Sequence, residues 1–545
     1  MLLKHSVSVL AASLASVAVA QQPLYGQLTT NTTSSITGTF TNPILWEDLA
    51  DLDIFRVNDA WYYTASTMHY SPGAPILRSY DLAHWEYIGH AVPRLSWSAA
   101  YDLSGSSRAY VKGIWASTMR YRQSNGKWYW IGCVEFARTY VYTSPDPTGP
   151  WVLSATLDTC LYDCGLLVDD DDDTLYVAYG NTALSVAQLS DDASRIVKSQ
   201  VVYNSPANIG TLEGSRMYKR DGQYYIFATH PASQEWVVKS ASPFGTYSIK
   251  VLANAVAPPA GAAAGGGNPH QGGLVDTPDG KWFYAAFEDA YPGGRIPVLA
   301  PVTWGSDGFP VLNLSSSSSG GSGVWGATYN LPVAEHALPP LTGTDAFSGT
   351  ALGAAWEWNH NPDMSKFAVN NGLTLSAATV TTDLYQARNT LTHRIHGPNA
   401  TATIVLDASA MAPGDRAGLA LLRDKSAWIG VARDANGALA VAVVSGINMN
   451  SDWTTAATGS YAASVPLAAA SAKKVYLRGT ADIRPGTGRT GSFSYSLDGA
   501  RFTPLGSALV LNSDWHFFMG YRWGIFNYAT SSLGGLVHIT SFTQT

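Results

Sequence analysis

The sequence predicts an all-β chain, a five-bladed β-propeller followed by a β-sandwich, and three observations carry that prediction. One local plan recurs five times at intervals of roughly 50 residues, the spacing of propeller blades. Each copy is a short apolar strand, a turn dipeptide and an aromatic strand, the pattern of a β-hairpin. From about residue 345 the repeat stops. Short alternating strands such as Ala402–Leu406 and Gly418–Leu422 then follow, punctuated by Asn436-Gly437 and Asp498-Gly499, as in a sandwich. Neither region carries a long 3.6-residue apolar period, so helices are not expected to organise the chain.

In chain order, the first element is a leader over residues 1–20. Lys4, a short apolar stretch and Ala18-Val19-Ala20 before Gln21 read as a secretion signal, which makes the expected location extracellular. The propeller is expected over residues 21–330. Its first unit runs from Asp51 through Asn58-Asp59 to Trp61-Tyr62-Tyr63. The second leads from Gly113-Ile114-Trp115 through Asn125-Gly126 to Trp128-Tyr129-Trp130, and the third from Asp163 through an aspartate run to Leu175–Tyr179. The fourth opens at Glu213 and turns at Asp221-Gly222; the fifth opens at His270 and turns at Asp279-Gly280. Of two low-complexity stretches, Ala257–Gly267 reads as a flexible loop that either borders the site or is a plain surface insertion, and Ser315–Gly323 as a linker or exposed loop. The sandwich is expected over residues 345–545.

Composition narrows the function class. Charged residues are 13% and aromatics 12%, a balance suited to flat-faced neutral ligands such as sugars. A formal charge of -7 offers no basic footprint for nucleic acid, and no apolar run beyond the leader is long enough for a membrane span. The chain is expected to be a monomer. Asn31, Asn313 and Asn399 open glycosylation sequons. Of Cys133, Cys160 and Cys164, the latter two are close enough in sequence to pair, with Cys133 free; three small buried thiols is the alternative. The run Asp169–Asp173 lacks calcium-loop spacing and reads as a solvated acidic hairpin.

In a propeller the innermost strand of every blade faces one axis, so residues opening those strands converge. Asp51, Asp163 and Glu213 open units one, three and four. Gathered carboxylates repel one another, and partial burial leaves at least one protonated near neutral pH. Glycoside hydrolysis needs that asymmetry: a carboxylic acid for the leaving oxygen and a carboxylate for the water or the sugar. Asp53, two residues beyond Asp51, is expected to lie one pleat deeper on the same face, in a structural role. His270 opens unit five and is expected on the axis, where it would meet a carboxylate or hold a cation through water. His69, Tyr70, Trp115 and Arg295 offer the aromatic faces and forked donors that suit sugars.

The same residues resemble glycoside hydrolase family 43. The resemblance rests on Thr41–Leu45 with Asp51, Gly113–Ala116, Glu213–Tyr218, His270–Gly280 and Gly294–Pro297. Phe347–Gly349, Trp356–Pro362 and Ala387–Leu391 are similar to the concanavalin-like sandwich appended to that family's β-xylosidases. It implies an inverting hydrolase with Asp51 as general base, Glu213 as general acid and Asp163 as pKa modulator. It also implies Arg295 against the sugar, a possible structural calcium ion near His270, and no cofactor for the chemistry. The sandwich would lend a loop to the site, for which Arg522–Phe526, with Phe526 as a contact, is the candidate. Leu52 and Cys164 stand where the family usually has proline, and His69–Gly73 where many β-xylosidases carry Trp-Phe-Pro-Gly. Trp46–Asp51 with Met68–Tyr70 is more similar to fungal arabinoxylan arabinofuranohydrolases. The expected substrate is therefore arabinoxylan, with loss of L-arabinofuranose side chains, some from doubly substituted xylose. A β-1,4-xylosidase and a non-catalytic sugar-binding propeller are the alternatives; a retaining fructosidase lacks its Arg-Asp-Pro motif here.

Overall fold

The computed structural model describes residues 38–545. The expected leader and the Asn31 sequon lie outside them. Five four-stranded antiparallel sheets form the propeller, four of them built from consecutive strands and the first interrupted between its second and third strands by Tyr70–Ser71. Their inner strands are Asp53–Val57, Thr118–Arg122, Gly165–Val168, Glu213–Arg220 and His270–Asp276. Each pairs with the strand beyond its turn dipeptide, as Asp53–Val57 does with Ala60–Thr64. The ring closes through side chains. Arg56 of blade one meets Asp276 of blade five at 2.5 Å, and Trp61 Nε1 donates to Asp276 O at 2.9 Å. Asn42 adds a second clasp, its amide donating to Leu299 O and Gly326 O while its oxygen accepts from Leu299 N.

The sandwich stacks two sheets over a core that includes Trp356, Leu419, Ile429, Leu477, Trp523 and Ile539. Strand alternation supplies that core. In Asn399–Asp407 every second residue is buried, so one face is apolar and the other polar. One sheet runs from Thr455–Leu467 to Trp356–Asn359, and its last strand comes from the propeller: Tyr70–Ser71 pairs with Trp358 and Asn359.

That pairing corrects one expectation. His69 and Tyr70 are 0% and 1% exposed, so a sugar cannot reach them. His69 Nε2 bonds Asn359 Oδ1 at 3.1 Å, and Tyr70 lies under the Arg522 guanidinium at 3.5 Å. Both seal the junction with the sandwich. Phe526 is also corrected. Arg522–Ala529 is a strand rather than a loop, and Phe526 is buried against Trp428 and Tyr528.

The disulfide joins Cys133 to Cys160, 27 residues apart, and Cys164 is the buried free thiol. Sequence proximity suggested the other pair, but tertiary contacts carry residues 159–161 past the end of strand Lys127–Val134. Thr139, paired with Cys133, donates to Thr159 O and accepts from Leu161 N at 2.8 Å each. Cys164 instead sits among Ile131, Leu161 and Leu166. The acidic run is corrected in part. Its end members bridge blades, Asp169 accepting from Tyr224 at 2.6 Å and from Lys219, and Asp173 from Arg122 at 2.9 Å. Ser315–Gly323 forms a small hairpin, Ser316–Ser317 pairing with Gly323–Val324, rather than a linker.

Candidate active site

Asp51 and Asp163 do not lie on their inner strands but in the turns leading into them. Both take the left-handed conformation, at φ 53° and 48°. For a residue with a Cβ this costs on the order of 1–3 kcal/mol, strain that surrounding structure must hold. Asp53 therefore does not share a face with Asp51. It is buried and accepts from Thr118 Oγ1, Met119 N and Arg120 Nη1 at 2.6–3.0 Å, a structural role.

The Asp51 carboxyl is held at both oxygens. Arg295 Nη1 donates to Oδ1 at 3.0 Å, and Ser66 Oγ donates to Oδ2 at 2.7 Å. Glu213 is half-buried and held at one oxygen only. Asn181 Nδ2 and Tyr162 OH both donate to Oε2, at 2.6 and 3.2 Å. Asp163 accepts from Gly214 N at 3.1 Å. Glycine is required there: φ is 68°, and a Cβ would stand 2.6 Å from Gln271 Cγ.

The three acids sit within one another's fields. Burial, then Glu213 and Asp51, push the Asp163 carboxyl well above the usual carboxylate range. Burial raises Glu213 too, with Asp51 adding to the rise and the Tyr162 and Asn181 bonds opposing it. The site thus sets two carboxyls pushed upward by burial and by their acidic neighbours beside one paired with a cation.

Glu213 opens onto a cleft of about 760 Å³, lined also by His270, Asp289 and Arg295 from the propeller. Gly265–Gly267, the end of the low-complexity stretch before His270, form part of its wall. The opposite wall comes from the sandwich as Trp515 and Phe518. Phe518 faces Arg295, whose guanidinium lies 5.1 Å from its ring and 5.0 Å from that of Phe287. The clamp is completed behind by Asp48, which accepts from Arg295 N at 2.8 Å and from Gly520 N at 3.0 Å. Trp115 packs edge-on against Phe518 at 4.9 Å.

His270 lines the cleft with Nδ1 bonded to Asn268 O at 2.8 Å, and burial holds it below its ordinary value. It therefore presents one neutral imidazole nitrogen. Among the described residues no group of three or more His, Cys, Asp or Glu is placed to hold a metal. A calcium ion takes six to eight oxygens, waters included, so His270 would hold one only through water, and no step is assigned to it.

Sequence reasoning missed Ser66, Tyr162, Asn181, Asp48 and Phe518. Tyr162 and Asp48 had a signal, Tyr162 adjoining Asp163 and Asp48 lying within the Trp46–Asp51 stretch. Phe518 had none, because its place depends on how the sandwich docks.

The comparisons with known proteins agree with this geometry. The profile of glycosyl hydrolases family 43 matches residues 40–310, and that of the β-xylosidase C-terminal concanavalin A-like domain matches 344–543. One similar solved structure comes from engineering the active site of a family 43 glycoside hydrolase, which generated an enzyme with both endo-xylanase and exo-arabinofuranosidase activity. It is 48% identical, with a TM-score of 0.88 over 93% of this chain and 100% of its own. A β-xylosidase of Formosa agariphila is 28% identical over 73% of this chain and 76% of its own length. A non-reducing end α-L-arabinofuranosidase of Bacteroides ovatus is 28% identical over 59% of this chain and 62% of its own. With propeller, appended sandwich and gathered carboxyls in agreement, the chain belongs to glycoside hydrolase family 43.

Proposed function

We propose that this protein is an inverting hydrolase of xylan-type substrates that releases L-arabinofuranose side chains from arabinoxylan. The observation that carries the reading is the unequal treatment of two carboxyls. Asp51 is bound at both oxygens and paired with Arg295, whereas among the described residues none donates to Glu213 Oε1, and Glu213 opens onto the cleft. An oxygen so placed holds a proton for a leaving group. Asp51 takes a proton from a water on the far face of the sugar as Glu213 Oε1 protonates the departing oxygen. Inversion asks for carboxyls about 6.5–9.5 Å apart. Burial and Asp51 hold the acid's pKa high, and Asp163, accepting from Gly214 N next to Glu213, helps to orient it. Arg295 spends Nη1 on Asp51 and Nε on Asp289, which leaves Nη2 to meet a sugar hydroxyl.

For arabinose over xylose, support comes from the 48% identical structure, which belongs to the engineering that generated an enzyme with exo-arabinofuranosidase activity. Trp46–Asp51 supports the likeness to arabinoxylan arabinofuranohydrolases; Met68–Tyr70, being buried, speaks only to packing. A β-xylosidase is the second reading, favoured by the Formosa relative. Secretion is part of the proposal, because a disulfide persists in oxidising compartments. Proton NMR of arabinoxylan digestion tests all of this at once. Released β-anomeric L-arabinofuranose from an α-linkage is expected. Release of xylose alone selects the second reading, and a retained anomer defeats the mechanism.

A further inference from the structure

Arg216 follows Glu213 by three residues on the same inner strand, yet its side chain serves the other two acids. It is 1% exposed. Nη2 donates to Asp51 O at 2.7 Å and Nε to Leu52 O at 3.0 Å. Nη1 donates to Cys164 O at 2.8 Å and to Ser215 O at 3.0 Å. One guanidinium thus gathers carbonyls from blades one, three and four. Three of the four carbonyls it binds belong to Asp51 itself and to the residues directly after Asp51 and Asp163; the fourth is that of Ser215 on its own strand.

The backbone shows why they need a donor. Asp51 and Asp163 both sit in left-handed turns, and the carbonyls of Asp51, Leu52 and Cys164 that leave those turns end on Arg216. Buried carbonyls require partners, and the strands leave no room for another. A Cβ at Gly165 would stand 2.5 Å from Ser215 O and 2.6 Å from Arg216 Cα. The guanidinium charge is itself balanced: Asp53 Oδ1 lies 3.8 Å from Nε, and the same carboxyl binds Arg120 at 2.6 Å.

We propose that Arg216 is a positioning residue for hydrolysis, its forked donors locking the left-handed turns that present Asp51 and Asp163. The proposal rests on the reading that those carboxyls carry the chemistry. Lysine keeps the charge but not the planar fork, so it separates the two contributions.

The test is steady-state kinetics and pH profiles of Arg216→Lys and Arg216→Met on an aryl glycoside cleaved by the wild type, with Asp51→Asn as control. Arg216→Met is expected to lose about 100-fold in kcat with KM little changed, the scale of a 1 Å misplacement. One limb of its pH profile should also move to higher pH, because the cation that lowers the Asp163 carboxyl is gone. Arg216→Lys should lose about 10-fold or more in kcat, within that same scale, while keeping the wild-type limbs. A purely structural arginine would lower Tm and leave kcat and the limbs alone. If Arg216→Met does not fold, Arg216→Lys decides: kcat within twofold of wild type overturns the proposal. Where Asp51→Asn is inactive and both Arg216 variants resemble wild type, positioning fails and the proposed function stands. An active Asp51→Asn removes that function and this proposal together.

Discussion

Two buried carboxyls in this protein meet opposite fates. Asp163, beside the axis, and Glu357, at the junction of propeller and sandwich, are both shielded from water. Burial works against ionisation in each. At Glu357 it is overcome by Arg394 and Arg522, with His90 adding a bond, and the carboxyl is held well below its ordinary range. Arg394 Nη1 and His90 Nε2 reach Oε1 at 2.9 and 3.1 Å, and Arg522 bonds Oε2. Asp163 has a backbone N–H and two acidic neighbours instead, and it rises. Contact with cations, more than burial, separates a carboxyl held low that fastens two domains from one pushed upward at the site.

The largest expected effect falls on the axis. Glu213→Gln and Asp51→Asn should each lower kcat by about 10²–10⁴-fold, the usual contribution of a positioned acid or base, with circular dichroism unchanged. Near-normal turnover by either would remove the functional half of the contrast. At the junction the effect is on stability. Glu357→Gln leaves two buried arginines short of their counter-charge and should cost about 3–5 kcal/mol in urea unfolding. Little loss would mean that the domains are held by apolar packing alone.

The pH dependence of Tm sharpens the contrast, because the two groups act with opposite sign. Glu357 is depressed in the folded state, so its stabilisation is present above the unfolded value of about 4.3 and fades as pH falls through the folded one. Asp163 is raised, so its effect is fully present below the unfolded value of about 3.9 and is lost as pH rises through the folded one. Asp163→Asn should therefore raise Tm by a few degrees at neutral pH while slowing hydrolysis. A lower Tm there would show that the carboxyl is structural. The smallest effect belongs to Tyr162→Phe. Removing a bond that favours ionised Glu213 should move the alkaline limb of the rate profile upward by a fraction of a unit, in pH-dependent kcat/KM.

Much of this arrangement was legible in the chain. The hairpin copies predicted five blades because each repeats the same strand, turn and aromatic order, and Asp51, Asp163 and Glu213 were found by their phase within it. His69 and Tyr70 misled, since an aromatic pair near an acid reads alike whether it faces a ligand or a neighbouring domain. Here Tyr70–Ser71 became a strand of the sandwich sheet. Cys160 and Cys164 misled similarly, as closeness in sequence says nothing about which thiol points into the core.

By itself the sequence determined the blade period, the acids that open it and the change of texture near residue 345, all local properties of pattern and turn chemistry. Tertiary structure decided the rest. It turned Asp51 and Asp163 left-handed, set Arg216 across their carbonyls, and brought Phe518 from the sandwich onto Arg295. The reason is physical: a side chain's protonation, burial and partners depend on groups far along the chain, and only folding places those groups beside it.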